Sequence, residues 1–163
     1  MSEVREAPRR AAANVTVETP LQAPVERLIS MSDAYAQSLY PAESNHLVDF
    51  AALVQPHVRF FVARRDGQVV GCGALLLDES GREGELKRMF VDPLARGLKV
   101  GRELLQAMEA HARGIGVRVL RLETGIRQPA AIALYESAGF RRRPAFPPYR
   151  PDPLSLFMEK WLA

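Results

Sequence analysis

The chain has 163 residues, of which 47% are hydrophobic and 25% charged, and this is the composition of one globular domain. No apolar run is long enough to cross a bilayer and the N-terminal residues lack the apolar core of a secretion signal, so we expect a cytoplasmic protein with no membrane partner. Cys72 is the single cysteine, which excludes an intrachain disulfide and a thiolate metal cluster.

The excess of basic residues could indicate a protein that binds nucleic acid. The net charge is +3 and the isoelectric point about 9.3, with arginine clusters at 9–10, 64–65 and 141–143. These clusters are scattered between strands and chain ends, and no helix-turn-helix, zinc spacing or aromatic platform for single strands accompanies them. We expect no nucleic-acid partner. A basic nucleic-acid-binding module stays open as an alternative, and a lack of DNA and RNA retention at any salt concentration would count against it.

The first third of the chain contains one strand and two helical segments. Residues 1–13 have no periodicity that could be buried and are predicted to form a flexible tail, so the fold begins at residue 14 and residues 14–163 form one domain. Alternation at 15–17 predicts a strand, and apolar spacing predicts a helix over 24–39, broken between residues 30 and 33, and a second helical segment over 47–54. The polar connection 40–46 is a candidate ligand wall, although Ser44 or Asn45 is equally a helix cap.

Three strands follow as an antiparallel meander. The ranges 58–64 and 68–77 are rich in strand-forming residues, and Asp66-Gly67 between them is a strong hairpin signal. A polar turn over 78–84 returns the chain into a third strand, 85–91. An amphipathic helix then runs to residue 113, with Val100, Leu104 and Met108 on one face.

The remaining chain completes the sheet. The range 117–124 alternates apolar and polar residues, and the helix before it places this strand parallel to the strand 85–91. A short helix over 130–137 and two strands, 140–143 and 154–161, follow, with a proline-rich connection over 144–153. Ligands of parallel strands bind at the carboxyl ends, so we expect the site there.

The loop between the third strand and the long helix has the features of a phosphate site. Gly97 and Gly101 let a ligand approach the backbone, and Arg96, Lys99 and Arg102 add positive charge beside the unpaired amides of a helix start. The loop matches neither a dinucleotide fingerprint nor a P-loop. Glycines at a helix start also occur in strand–helix–strand units that bind nothing, so the loop by itself leaves both readings open.

Two motifs resemble the GCN5-related N-acetyltransferase (GNAT) superfamily. Residues 96–101, RGLKVG, resemble its acetyl-CoA loop, Arg/Gln-x-x-Gly-x-Gly/Ala, with Lys99 where the family usually has its central glycine. Residues 131–140, AIALYESAGF, closely match its A-I-x-L-Y-E-x-x-G-F element at the expected distance downstream. The resemblance extends from residue 14 to the C-terminus and is densest over 85–140.

This resemblance implies a fold, an activity and a donor site. The fold would be an α/β GNAT fold, with a mixed, mostly antiparallel sheet of six to seven strands, a central parallel pair and about four helices. The activity would be direct acetyl transfer from acetyl-CoA to a primary amine within a ternary complex, without a metal. The implied acetyl-CoA contacts are Met89, Phe90, Val91, Arg96, Gly97, Leu98, Lys99, Val100, Gly101, Arg102, Gln128, Ala131 and Tyr135.

Acetyl transfer to an amine needs a neutral amine, a stabilised oxyanion and a proton for the departing sulfur. By resemblance, Tyr135 is the candidate acid, and Glu85 at the start of the central strand is the candidate base acting through water. The oxyanion would meet backbone amides near Phe90 and Val91, where the family has a bulge.

The acceptor is predicted less sharply than the donor. By resemblance, the acceptor side lies between the first helices and the last connection, where Tyr40, Glu43, Glu123 and Tyr149 are candidate contacts for a small amine such as an amino acid or a polyamine-like compound. A protein N-terminus or lysine is the alternative acceptor, and a CoA-binding regulator without catalysis is a further alternative motivated by Lys99. The edge strands permit a homodimer.

Overall fold

The structure, a computed structural model, describes residues 12–162. Most of the predicted tail therefore lies outside the described residues. Ala13 is anchored, because its backbone N–H donates a hydrogen bond to Glu103 Oε2 at 2.8 Å. No helix within residues 12–162 has both the length and the apolar character that crossing a membrane requires.

Within residues 12–162, seven strands form one mixed sheet in the order β1-β2-β3-β4-β5-β7-β6, and four α-helices cover it. The β4–β5 pair is parallel and every other pair is antiparallel, as the predicted fold class requires. The elements are β1 (Asn14–Val17), α1 (Ala23–Leu39), α2 (Phe50–Leu53), β2 (Val58–Arg65), β3 (Gln68–Leu77), β4 (Glu83–Val91), α3 (Val100–Gly114), β5 (Val119–Gly125), α4 (Pro129–Ser137), β6 (Arg141–Arg143) and β7 (Ser155–Trp161), with 3₁₀ turns at Ala42–Ser44 and Pro93–Ala95.

Two of the helix predictions were wrong. The break expected in α1 is absent, and the helix is continuous with Val25, Leu28 and Ile29 buried on one face. The helix expected over 47–54 is reduced to the four residues of α2, capped by Asp49, whose Oδ1 accepts a hydrogen bond from the Ala52 amide at 2.9 Å. Asp49 therefore caps this helix instead of Ser44 or Asn45. The other boundaries differ from the predicted ones by two residues or fewer.

The sheet has a core on each face. On one face, Leu104, Leu105 and Met108 of α3 pack against the strands, and on the other Val25 and Leu28 of α1 do so. Burial of these apolar side chains is the main force that holds the layers together. The predicted hairpin is also present, with Asp66 at φ 50° and Gly67 at φ 76°, the positive values that a tight two-residue turn requires.

Candidate active site

A β-bulge in β4 opens the cleft at the carboxyl end of the parallel pair. Arg88 and Met89 together lie opposite Gly73, and Arg88 has φ 58°, which is rare for a residue with a side chain. Leu86 and Phe90 consequently lie in different cores, although strand alternation would place both on one face. The β4–β5 pairing ends at Leu86, so the two strands separate beyond it.

Backbone groups of β4 line this cleft. The Asp92 amide donates to the Val70 carbonyl at 2.8 Å, so Asp92 faces β3. Because successive residues of an antiparallel strand point their backbone groups to opposite sides, the Val91 N–H and C=O point away from β3 and toward the cleft. These groups are available to a ligand that extends along the strand, which is the position predicted for the pantetheine arm and the oxyanion.

The loop after β4 presents a run of backbone amides. The Asp92 side chain accepts from the Leu94 amide and caps the 3₁₀ turn, after which Gly97 (φ 79°) and Lys99 (φ 63°) take left-handed conformations and α3 begins. Among residues 12–162, none of the amides of residues 97–102 donates to a backbone or side-chain acceptor. Unpaired amides at a helix start carry partial positive charge, so this loop is suited to bind phosphate.

A cavity of about 770 Å³ joins this loop to the cleft and to the wall formed by α1 and the connection after it. Fourteen of the eighteen predicted site residues line it: Tyr40, Met89, Phe90, Val91, Arg96, Gly97, Lys99, Val100, Gly101, Arg102, Glu123, Gln128, Ala131 and Tyr135. Leu98, Glu43, Glu85 and Tyr149 do not line it. The structure thus brings the loop, the cleft and Tyr135 to one space.

Tyr135 is one of the residues that line this cavity. Its side chain is buried and packs edge-on against Phe140, with ring centroids 5.8 Å apart. Burial raises the pKa of the Tyr135 phenol well above its usual value, and the nearby Glu123 carboxylate raises it further. The phenol is therefore protonated at neutral pH and can donate a hydrogen bond.

Glu85 is engaged by other side chains. It accepts a hydrogen bond from the Tyr149 hydroxyl, and its Oε1 lies 3.4 Å from Lys87 Nζ. Burial, followed by that hydrogen bond to Glu85, raises the pKa of Tyr149. The Lys87 ammonium also donates to the His46 carbonyl at 2.8 Å and lies 4.7 Å from the centre of the Tyr149 ring. This arrangement places Tyr149 and Lys87 around the candidate base.

Glu123 is the carboxylate that lines the cavity. Burial raises the pKa of Glu123, and the positive charge of Lys87 partly opposes that shift. A carboxyl group with a raised pKa is a better match for accepting a proton near neutral pH than an exposed one.

The two candidate contacts after α1 have different surroundings. Tyr40 is buried, its hydroxyl accepts from the Arg127 amide at 3.0 Å, and it packs directly on Gly125, so it joins α1 to the end of β5. Glu43 lies exposed in the 3₁₀ turn and outside the cavity lining. Arg127, a further charged residue on this side, donates through Nη1 to the Leu39 carbonyl at 2.5 Å.

Sequence reasoning missed the polar residues beneath the cleft. Arg88 is buried and forms an ion pair with Asp33 of α1, while Arg27 of α1 pairs with Asp92, each at 2.8 Å or less. The available signal was Arg88, which stands at one of the alternate, inward-facing positions of β4. A charged residue in a strand that is covered on both faces is rarely buried without a partner.

Comparisons with known proteins agree with this geometry. The model of the acetyltransferase (GNAT) family matches residues 25–140. The chain belongs to this family. It is 56% identical over 149 residues to an IAA acetyltransferase of Azospirillum brasilense, covering 90% of this chain and 97% of that protein. An aminoalkylphosphonate N-acetyltransferase of Salmonella typhimurium is 35% identical over 98 residues, 57% of this chain and 64% of that protein.

A solved structure extends the agreement to the whole fold. It is a Klebsiella pneumoniae protein provisionally assigned as an acyl-CoA N-acyltransferase, with a TM-score of 0.80 and 43% identity over 93% of this chain and 98% of that one. This GNAT protein is therefore an N-acetyltransferase, and acetyl-CoA is the donor that its family uses.

Proposed function

We propose that this GNAT enzyme acetylates the primary amine of a small molecule by direct transfer from acetyl-CoA within a ternary complex. The observation that carries the proposal is the continuous cavity, which runs from the amide-rich loop past Tyr135 to the wall made by α1 and residues 40–47. Donor and acceptor can therefore occupy one space, and no covalent enzyme intermediate is needed.

The donor end is defined by backbone amides and cations. The amides of residues 97–102 meet the pyrophosphate, and Arg96, Lys99 and Arg102 line the same end of the cavity. Gln128 and Ala131 also line the cavity, where they would border the pantetheine arm. When bound, acetyl-CoA supplies a thioester whose acetyl carbon is open to attack by an amine.

Tyr135 holds a proton at the departing sulfur. The pKa of a tyrosine already exceeds that of a typical thiol, about 8.5, and burial raises the pKa of Tyr135 further. The phenol therefore keeps its proton and stabilises the developing thiolate by donating a hydrogen bond to it.

Removal of the ammonium proton is assigned to Glu123 ahead of Glu85. Glu123 lines the cavity and has a raised pKa, whereas Glu85 is covered by Tyr149 and lies outside the lining. Glu85 then keeps Tyr149 and Lys87 in place at the acceptor side. The sequence-based choice of Glu85 as the base acting through water remains the competing assignment, and the variants Glu85→Gln and Glu123→Gln separate the two.

The acceptor is proposed to carry an anionic group as well as the amine. Glu123 would face the ammonium of the acceptor, while Lys87, which also lines the cavity, offers a positive charge to an anionic group. The name of the aminoalkylphosphonate relative describes an amine with an anionic group, which supports this class.

A substrate panel tests the proposal. The purified full chain is assayed for CoA release with amino acids, aminoalkylphosphonates, IAA, polyamines and peptides with a free N-terminus or lysine, and CoA binding is measured by calorimetry. We expect micromolar CoA binding and turnover of a small anionic amine, lowered about 100-fold in kcat by Tyr135→Phe. Turnover confined to peptides would favour the protein-acetyltransferase alternative, and binding without any turnover would favour the regulator.

A further inference from the structure

Arg65, at the end of β2, contacts the backbone of the phosphate loop. Its Nη2 donates a hydrogen bond of 3.2 Å to the carbonyl oxygen of Leu98, a residue 33 positions further along the chain. Arg65 does not line the cavity, whereas Lys99, the next residue of the loop, does. The hairpin tip between β2 and β3 therefore supports the loop from behind.

Because the peptide unit is planar and trans, the contact of Arg65 with the Leu98 carbonyl also fixes the direction of the Lys99 N–H. The Leu98 carbonyl and the Lys99 N–H belong to the same planar peptide unit and point in opposite directions. By holding the carbonyl, Arg65 directs the Lys99 N–H away from the hairpin. Among residues 12–162 this amide has no hydrogen-bond acceptor, and it belongs to the run of amides assigned to the pyrophosphate.

Lys99 occupies a conformation that normally favours glycine. It has φ 63° and ψ 20°, in the left-handed region, and it stands where the acetyl-CoA loops of the family usually have their central glycine. A side chain in this region costs about 1–2 kcal/mol relative to the right-handed helical conformation. A lysine is therefore held there only if other contacts of the loop offset that cost.

We propose that Arg65 is a positioning residue that holds the Leu98–Lys99 peptide in the phosphate-binding orientation, and so lets a lysine replace the motif glycine. The proposal rests on the proposed binding of CoA by this loop. Burial supports it, because Nε and Nη1 of Arg65 are buried and have no acceptor within residues 12–162. Such placement of a guanidinium is costly, and a surface arginine without a structural task would extend into solvent.

A double-mutant cycle tests the proposal in the full chain. Calorimetry measures the CoA dissociation constant for the wild type, Arg65→Met, Lys99→Gly and the double variant. Arg65→Met alone is expected to weaken CoA binding about tenfold, since binding must restore a left-handed lysine. Combined with Lys99→Gly, it is expected to add less than about twofold, because glycine takes this conformation readily. Lys99→Gly and the double variant both lack the lysine charge, so this loss cancels when the effect of Arg65→Met is measured between them.

Two further variants distinguish positioning from charge. Arg64→Met removes the same charge from the same hairpin, but Arg64 contacts Glu18 and the Gly67 carbonyl instead of the loop, so CoA affinity is expected to stay within about twofold of wild type. Arg65→Lys keeps one donor and is expected to recover part of the affinity. For Arg65→Met, KM for acetyl-CoA should rise while kcat at saturation stays near wild type, because the loop lies away from the reacting atoms.

The outcomes separate this inference from the proposed function. An equal loss of affinity in both backgrounds, or no loss in either, overturns the role of Arg65. If the wild type binds no CoA, the proposed function fails first. If Arg65→Met does not fold, as judged by circular dichroism, Arg65→Lys and Arg65→Gln take its place in the cycle, and an absence of coupling there likewise overturns the inference.

Discussion

Arg88 in the β4 bulge and Asp33 in α1 form an ion pair, with Arg88 Nη1 2.7 Å from Asp33 Oδ1. The Arg88 side chain is 2% exposed and that of Asp33 41% exposed, so the pair lies at the edge of the buried region. Because Arg88 has a positive φ, its side chain links a strained backbone position to the helix that forms one wall of the cavity. The shape of the bulge and the position of that wall are therefore coupled.

Replacing Asp33 tests this coupling. Asp33→Ala leaves a buried guanidinium without its carboxylate and is expected to lower the free energy of unfolding by about 1–2 kcal/mol, less than for a fully buried pair because water reaches Asp33. We also expect kcat to fall about tenfold, since small displacements of a site reduce rates strongly. Urea unfolding and steady-state kinetics measure both. Asp33→Asn, which keeps an acceptor, should retain most of the activity, and wild-type values for Asp33→Ala would refute the coupling.

Gly125, at the end of β5, packs so closely on Tyr40 that we expect even an alanine at this position to disturb the site. A Cβ at this position would clash with the Oη and Cζ atoms of Tyr40, and this buried ring cannot move aside easily. Gly125→Ala is expected to destabilise the protein by about 1–3 kcal/mol and to raise KM for the acceptor. Gly114→Ala is the matched control, since nothing lies within 4 Å of its Cβ. Equal unfolding midpoints for the two variants would contradict the packing argument.

The elements that sequence predicted well are those fixed by local signals. Asp66-Gly67 predicts a hairpin because few residues tolerate positive φ, and the parallel β4–β5 pair follows from the helix between its strands. The glycines of residues 97–101 and the helix after them predict an anion-binding loop for the same local reason, and the binding of phosphate there stays a prediction. The short motif at 131–140 then indicates the GNAT family, although it does not determine the geometry of the site.

The features that sequence did not predict depend on contacts between distant residues. Glu85 and Tyr149 are 64 positions apart, and Arg88 and Asp33 are 55 apart, so no short pattern reveals either pair. The bulge was expected only by resemblance. Buried and partly buried residues alternate along the whole of β4, so the extra residue of the bulge does not interrupt the hydrophobic pattern of the sequence. The continuity of α1 depends on packing against β3 and β4, which overrides the weak helix preference of its serines.

The β1 edge of the sheet has a pH-dependent attachment. The Arg64 guanidinium hydrogen-bonds Glu18 and lowers its pKa from 4.5 to about 2. A lowered folded-state pKa contributes stability that is present above the unfolded value and is lost as pH falls from about 4.5 toward 2. Glu18→Gln should therefore lower the free energy of unfolding at pH 7 by about 1–2 kcal/mol, with the gap to wild type closing toward pH 2. Urea titrations at several pH values test this, and a constant gap would count against it.

Glu123 predicts the opposite pH dependence, because burial raises its pKa. A raised folded-state pKa gives a contribution to stability that is full below the unfolded value of 4.5 and is lost as pH rises through the folded value. The neutral glutamine of Glu123→Gln does not ionise, so the variant does not lose stability in this way. The free energy of unfolding of Glu123→Gln relative to wild type should therefore increase with pH. A residue that only packs would produce that stability profile as well, so the rate profile is needed to test the chemistry.

If Glu123 accepts the proton of the acceptor amine, its ionised form is required, and kcat/KM should fall on the acid side of its raised pKa. Glu123→Gln is then expected to lower kcat about 100-fold and to remove that acid limb. Glu85→Gln should keep the limb, because Glu85 lies outside the cavity lining and contacts Tyr149 and Lys87. Measured profiles of kcat/KM against pH for the three proteins decide between them: loss of the limb in Glu85→Gln alone would return the base to Glu85.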